Sequence, residues 1–253
     1  MSAMSQLTQI SAPASGMVSK NIVAMSGVRF TWPGAKTFTL TIDDFSLAKG
    51  SRVLLLGPSG SGKSTFLSLL CGIVAPQAGR IETFDTDLGA LTGGERDRFR
   101  AEHFGIIFQM FNLLPYGSAT VNVMLPLNFA AGRMKKAAQN GPASHEAARL
   151  LTRLGLSETE IAGRTAATLS VGQQQRVAAA RALIGRPEII VADEPTSSLD
   201  RNRQAAFLDL LFAEAEAAGA TLIMVSHDES LAPRFDSVRR LDEFAHASRG
   251  PPC

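Results

Sequence analysis

The segment Gly57-Pro58-Ser59-Gly60-Ser61-Gly62-Lys63-Ser64-Thr65 constrains this chain more than any other. It fits the pattern G-x-x-x-x-G-K-[ST]. Val53-Leu54-Leu55-Leu56 before it reads as a short buried strand, and Phe66-Leu67-Ser68-Leu69-Leu70 after it as an apolar helix. Strand, glycine loop and helix in that order aim backbone N–H groups and a helix N-terminus at an anion. A glycine-rich surface turn that binds nothing usually lacks those flanks. The segment predicts a nucleoside triphosphate cradle in which Lys63 reaches the terminal phosphates and Ser64 Oγ meets Mg²⁺.

A second constellation supplies acids. Ile189-Ile190-Val191-Ala192-Asp193-Glu194 is an apolar strand ending in two carboxylates. Beside a phosphate loop, Asp193 is suited to hold Mg²⁺ directly or through water, and Glu194 to polarise an attacking water. Away from such a loop the same pair would be an ordinary acidic surface turn.

Composition bounds what surrounds these motifs. The chain has 253 residues, enough for one large α/β domain or a core with a subdomain, and its 45% hydrophobic and 19% charged residues are a globular balance, richer in apolar residues than a disordered chain. A formal net charge of +2 gives no reason to expect a nucleic-acid partner. The basic clusters Arg133 with Lys135-Lys136, and Arg239-Arg240, read as solvated faces. The two cysteines, Cys71 and Cys253, build neither a disulfide framework nor a metal site, and fit a reducing cytoplasm. Cys71 reads as a small core residue. No apolar run approaches the roughly 18–20 residues that span a bilayer, so a membrane role is expected to be peripheral and to pass through a partner. Residues 1–20 lack a charged start and apolar stretch, and read as a mobile extension, not a secretory signal.

Along the chain, residues 21–49 alternate apolar and polar positions, as in Phe38-Thr39-Leu40-Thr41-Ile42, which predicts antiparallel strands. Residues 97–103 read as a charged helix, and Gly105-Ile106-Ile107-Phe108-Gln109 as a strand with a polar end. Residues 112–168, broken by Pro115, Pro126, Gly132 and Gly141-Pro142, read as a helical insertion. Val177–Ile184 reads as a helix, and Ile189–Ala192 and Thr221–Ser226 as buried strands of a parallel sheet. The expected organisation is an α/β phosphate-loop fold over 21–241, with a mostly parallel core sheet, an N-terminal antiparallel β subdomain and the helical insertion. Residues 242–253 are expected to be a tail. His103, His145 and His246 have no metal-like spacing and are expected at the surface.

Leu169-Ser170-Val171-Gly172-Gln173-Gln174-Gln175-Arg176 resembles the signature sequence of ATP-binding cassette (ABC) ATPases. The order of motifs matches that family as well: phosphate loop, lone glutamine, signature, acidic strand end, histidine. Gln109 is similar to the family's Q-loop, Ser197-Ser198-Leu199-Asp200 to its D-loop, and His227 to its switch histidine. Trp32, in Phe30-Thr31-Trp32-Pro33-Gly34, sits where the family places an aromatic on adenine. The resemblance implies ATP and Mg²⁺ as ligands, with Gln109 on the metal and water and His227 on the γ-phosphate. It also implies a homodimer that sandwiches two nucleotides, in which Ser170, Gly172 and Gln173, with Asp200, contribute to nucleotide contacts. Val171 departs from the pattern by replacing a glycine, and would be strained if the position needs φ > 0. Leu91-Thr92-Gly93-Gly94-Glu95 looks faintly like the signature but precedes Gln109, and reads as a loop.

Gly105-Ile106-Ile107-Phe108-Gln109, then Asn112-Leu113-Leu114-Pro115 and Asn122 to Leu127, resemble the lipoprotein-release, macrolide-export and cell-division branch of the family. That branch implies a membrane permease with a large extracytoplasmic domain, driven from the cytoplasmic face by nucleotide-dependent closure. The apolar stretch around Phe108, Met110, Phe111 and Leu113-Leu114 reads as core packing or as the surface that receives the permease. Three other readings differ by function class. The cassette could drive a cell-wall enzyme through a permease-like partner without transport, serve an importer, or act away from membranes in translation or DNA repair. A single cassette with no heptad run speaks against the last.

Overall fold

A computed structural model describes residues 21–34, 38–197 and 201–249. The chain opens with two long strands, β1 (Asn21–Thr31) and β2 (Phe38–Ala48), followed by β3 (Arg52–Leu56) and helix α1 (Lys63–Leu70). Next come β4 (Ala78–Thr83), β5 (Thr86–Asp87), α2 (Gly93–His103) and β6 (Phe104–Ile107). Four short helices follow, α3 (Ala119–Met124), α4 (Ala131–Ala137), α5 (Ala143–Arg153) and α6 (Glu158–Ile161). Then α7 (Val171–Leu183), β7 (Ile189–Asp193), α8 (Arg201–Ala217), β8 (Thr221–Ser226), β9 (Ser237–Arg240) and β10 (Ala245–Arg249) complete the order.

The strands form two sheets. One runs β6-β7-β8-β3-β9 and its pairings are parallel; the other runs β10-β2-β1-β4-β5 and its pairings are antiparallel. The parallel strands are buried on both faces, and their side chains divide by the two-residue period. Leu54, Leu56, Ile190, Ala192, Leu222 and Met224 pack toward α7, α8 and the short helices. Val53, Leu55, Ile189, Val191, Ile223 and Val225 pack toward α1 and the antiparallel sheet. The carboxyl ends of β3, β6, β7 and β8 therefore emerge on one edge between two cores, the edge where open α/β sheets bind ligands.

Several expectations need correction. Residues 245–249 are not a tail. They form β10, which pairs antiparallel with β2 from Ala245 opposite Ile42 to Arg249 opposite Phe38. An edge strand held by backbone pairing needs little apolar alternation, so the sequence carried little signal for it. Leu91–Glu95 is not a loop throughout: Thr92 N-caps α2, and its side chain and that of Glu95 close a reciprocal capping box. The signature helix begins at Val171, six residues before the apolar run at Val177, because Ser170 caps it through a second such box with Gln173. Arg133 is not on a solvated face. It is 1% exposed and donates to the carbonyls of Ala101, Phe104, Ala182 and Ile184. Lys135, Lys136, Arg239 and Arg240 are exposed, as expected. His103 is only half-buried at the surface, packed on Phe84 and Phe99 and 3.2 Å from Glu188. Cys71 is buried, and burial pushes its thiol pKa up to about 12. Among the described residues no helix is long and apolar enough to cross a membrane.

Candidate nucleotide site

The phosphate loop leaves β3 and enters α1 through Gly62, whose φ of +105° only glycine tolerates. A Cβ there would also crowd Leu40 and Phe38 at 3.0 and 3.1 Å. No side chain caps the N-terminus of α1, so its first N–H groups face the loop without an intrahelical partner. Ser61 Oγ is buried and has no hydrogen-bond partner among the described residues. An anion accepting from these donors would satisfy both.

Lys63 is 7% exposed and lies across the loop, donating to the carbonyls of Gly57 at 2.7 Å and Pro58 at 2.9 Å. Its Nζ is also 3.7 Å from Oε1 of Glu194. Ser64 Oγ donates to Oδ2 of Asp193 at 3.1 Å, across 129 residues of sequence. A hydroxyl and a carboxylate meeting beside a phosphate cradle are the donor set that Mg²⁺ accepts in nucleotide sites. Burial pushes the Asp193 carboxyl above its ordinary value. The Ser64 hydrogen bond and the Lys63 charge oppose that push, and neighbouring Glu194 reinforces it.

One cavity of about 430 Å³ gathers Trp32, Ser59, Gly60, Gly62, Lys63, Ser64, Thr65, Gln109, Asp193 and Glu194. Gln109 reaches it just past the end of β6, and the two acids at the end of β7. Trp32 stands at the mouth, 39% exposed, with Nε1 donating to Thr65 Oγ1 at 3.0 Å and its ring edge-on to Phe30. Glu194 turns the chain with φ of +44°, an uncommon conformation for a residue with a side chain. Its N–H bonds Val225 O at 3.0 Å, and the next carbonyl, of Pro195, accepts from Gln175 Nε2 at 2.6 Å. His227, following β8, brings Nδ1 to 3.2 Å from Oε2 of Glu194 and opens on an adjoining polar cavity that Glu194 also lines.

Ser170 and Gly172 are not part of the Lys63 cavity. They line a separate cavity of about 270 Å³ with Glu160, Gln173, Arg176 and Phe207. Ser170 Oγ accepts from the Gln173 N–H, and the Gln173 side chain accepts from the Ser170 N–H. Gly172 has open space around it, and Val171 keeps ordinary helical backbone at the first position of α7, so valine is unstrained there. Asp200 and the D-loop residues Ser198 and Leu199 lie outside the described residues. Sequence reasoning assigned no role to Gln175 or Arg181. Gln175 stood inside the signature run as a buried amide, but its target carbonyl is 20 residues away.

The sequence profile of ABC transporters matches residues 40–197. The chain belongs to the ABC transporter family. It is 41% identical over 202 residues to the uncharacterized ABC transporter ATP-binding protein YbbA of Escherichia coli (strain K12), covering 80% of this chain and 85% of that one. It is 38% identical over 231 residues to the lipoprotein-releasing system ATP-binding protein LolD of Anaeromyxobacter dehalogenans (strain 2CP-C), covering 90% and 94%. The macrolide export ATP-binding/permease protein MacB of Burkholderia thailandensis is 37% identical over 226 residues, which cover 88% of this chain and 33% of MacB. Among solved structures, the dimeric post-hydrolysis state of the ATP-binding cassette MJ0796 bound to ADP and Pi superposes with a TM-score of 0.76 at 32% identity, covering 86% and 93%. This chain is thus an ABC transporter ATP-binding subunit with the α/β fold of that family, similar to the ATP-binding proteins of lipoprotein-releasing and macrolide-export systems.

Proposed function

We propose that the chain hydrolyses ATP as one half of a closed homodimer and drives a separate membrane permease of the export or mechanotransmission type. The observation that carries this is the gathering of Lys63, Ser64, Asp193 and Glu194 in one cavity while Ser170 and Gly172 line another. One copy holds a phosphate cradle without its signature, and a second copy supplies it. The dimeric MJ0796 cassette with ADP and Pi supports that arrangement.

In this reading Lys63 and the loop N–H groups bind the β- and γ-phosphates, and Trp32 stacks on adenine. Ser64, Asp193 and Gln109 hold Mg²⁺, which supplies neutralising charge on the phosphates. Glu194 orients a water and takes its proton, and His227 fixes the carboxylate and the γ-phosphate end. Ser170 and the N–H groups at the start of α7 cover the γ-phosphate of the second copy. Lys63 exchanges its bonds to Gly57 and Pro58 for phosphate oxygens.

The permease is assigned a groove of about 780 Å³ next to the Q-loop, lined by Phe104, Phe108, Leu125, Pro126 and Phe129. Phe129 is 69% exposed there, and Met110 beside Gln109 is 80% exposed. Side chains of this size left in solvent suit an apolar helix from a membrane partner. The partner expected from the branch has a large extracytoplasmic domain, and the cassette works from the cytoplasmic face.

The test is affinity purification of tagged Glu194→Gln chain from native membranes in mild detergent with ATP, followed by mass spectrometry. Recovery of a permease with a large extracytoplasmic domain supports the reading. Recovery of a many-helix importer permease keeps the ATPase and removes the branch, and recovery of ribosomes or nucleic acid removes the membrane role. Nucleotide binding is read separately from the chain's single tryptophan, Trp32, whose fluorescence should change with ATP and lose that response in Lys63→Ala.

A further inference from the structure

Arg181 sits in the last turn of α7, 8% exposed, and no carboxylate pairs with it among the described residues. Its guanidinium forks across two consecutive carbonyls instead. Nη1 donates to Asn112 O at 2.6 Å and Nη2 to Phe111 O. Phe111 and Asn112 are consecutive non-glycine residues with φ of +58° and +47°, a conformation uncommon and costly for residues with side chains. They come directly after Gln109 and Met110. Among the described residues the other hydrogen bonds of the Phe111-Asn112 backbone are short-range, Phe111 N–H to Phe108 O at 2.9 Å and Asn112 N–H to Met110 O at 2.6 Å.

We propose that Arg181 is a positioning residue for Gln109: its fork across Phe111 and Asn112 holds the left-handed turn that aims Gln109 into the nucleotide cavity. Arg181 touches neither nucleotide nor metal. It acts through the chain that leaves β6. The helix that carries it is capped by Ser170, about 16 Å away at 1.5 Å per residue. That helix is pressed against β6, where a Cβ on Gly105 would meet Ala182 O at 2.1 Å. The Q-loop turn and the signature cap are therefore tied to the two ends of one short helix. Arg181 also forms part of the wall of the groove assigned to the permease, so a helix seated there would press on the same fork.

This rests on the proposed role of Gln109, and the experiment separates the two. In the purified full chain, amide hydrogen exchange over residues 108–114 is measured without nucleotide, and kcat and KM for ATP are measured alongside. The variants are Arg181→Lys, Arg181→Met, Asn112→Gly and Arg181→Lys with Asn112→Gly. Lysine keeps the charge but cannot fork across two carbonyls. Arg181→Lys should speed exchange of the 108–114 amides by about tenfold and lower kcat by about tenfold, with KM changed less than about twofold. Glycine accepts φ > 0 freely, so adding Asn112→Gly should restore most of the lost kcat. A general packing defect around α7 would not be relieved by a glycine at position 112, 69 residues away in sequence.

Unchanged loop exchange in both Arg181 variants overturns the proposal. So does faster exchange with unchanged kcat, or a kcat loss that Asn112→Gly does not recover. Arg181→Lys and the double variant decide the matter if Arg181→Met fails to fold. Gln109→Ala is the control for the underlying reading. If it leaves turnover intact, the role of Gln109 falls, while the exchange data still report whether Arg181 holds the turn.

Discussion

His227 Nδ1 stands 3.2 Å from Oε2 of Glu194, across 33 residues and two neighbouring strand ends. The same carboxylate has its other oxygen 3.7 Å from Lys63 Nζ. A base held between an imidazole and an ammonium has its orientation set before any water arrives. Glu194→Gln keeps the shape and removes the proton acceptor, and should lower kcat by about 10²- to 10⁴-fold while ATP-bound dimers accumulate on size exclusion. His227→Ala should lower kcat too, and the double variant should lose much less than the product of the two, because both act on one water. Multiplicative losses would mean that the two residues act separately.

Asp193 is raised above its unfolded pKa of 3.8, chiefly by burial, with neighbouring Glu194 adding to the shift. A folded carboxyl that holds its proton more tightly than the unfolded one loses stability as the pH rises through that interval, and the loss persists at neutral pH. Asp193→Asn removes the charge and leaves an oxygen for Ser64. It should raise stability at pH 7 by about 0.5–2 kcal/mol while abolishing Mg²⁺-dependent hydrolysis. Urea unfolding alongside an ATPase assay checks both halves, and a destabilised Asn variant would contradict the assignment.

Glu188 gives the opposite sign. Burial works against its ionisation, but hydrogen bonds from His103 and Lys136, with the Lys136 charge, hold its carboxyl down at about 2 against an ordinary 4.5. Its contribution is fully present above pH 4.5 and is lost as the pH falls toward 2. Because Glu188 is partly solvated, the informative quantity is the slope. Glu188→Gln should flatten the loss of urea midpoint between pH 5 and pH 3. Parallel slopes for the two proteins would exclude this cluster as an acid-sensitive contact.

The residues that announced themselves in the sequence carry their chemistry in contiguous runs. Gly57 to Thr65 needs only its own strand and helix to become a cradle, and Asp193-Glu194 needs only the end of β7. Alternation in β1 and β2, and the all-apolar runs of β7 and β8, reported burial on one face or two. What stayed hidden depends on distant backbone. Arg181 bonds carbonyls about 70 residues upstream, and Gln175 one 20 residues downstream. No local pattern encodes either. The start of α2 could have been found, since Thr92 and Glu95 stand at capping-box spacing before Phe99. Arg133 was masked by its company, two exposed lysines in the same turn.

Arg133 supplies the sharpest stability test. Its guanidinium makes five hydrogen bonds to four carbonyls at the C-terminal ends of α2 and α7, and burial lowers its pKa to about 10. A cation placed at two helix C-termini is favoured by both dipoles and satisfies carbonyls that the helices leave open. Its backbone is just as confined, since a Cβ on Gly185 would meet Arg133 O at 2.6 Å. Arg133→Ala leaves the carbonyls unpaired around a void, and should cost about 3–5 kcal/mol. For a chain of this size that is a fall in Tm of roughly 6–20 °C. Arg133→Lys can reach only some of the four and should cost about 2 kcal/mol. Lys135→Ala, two residues on and exposed, should stay within about 0.5 kcal/mol. Urea unfolding of the three variants ranks them, and equal effects at 133 and 135 would mean that position 133 is no more than the solvated charge its sequence context suggested.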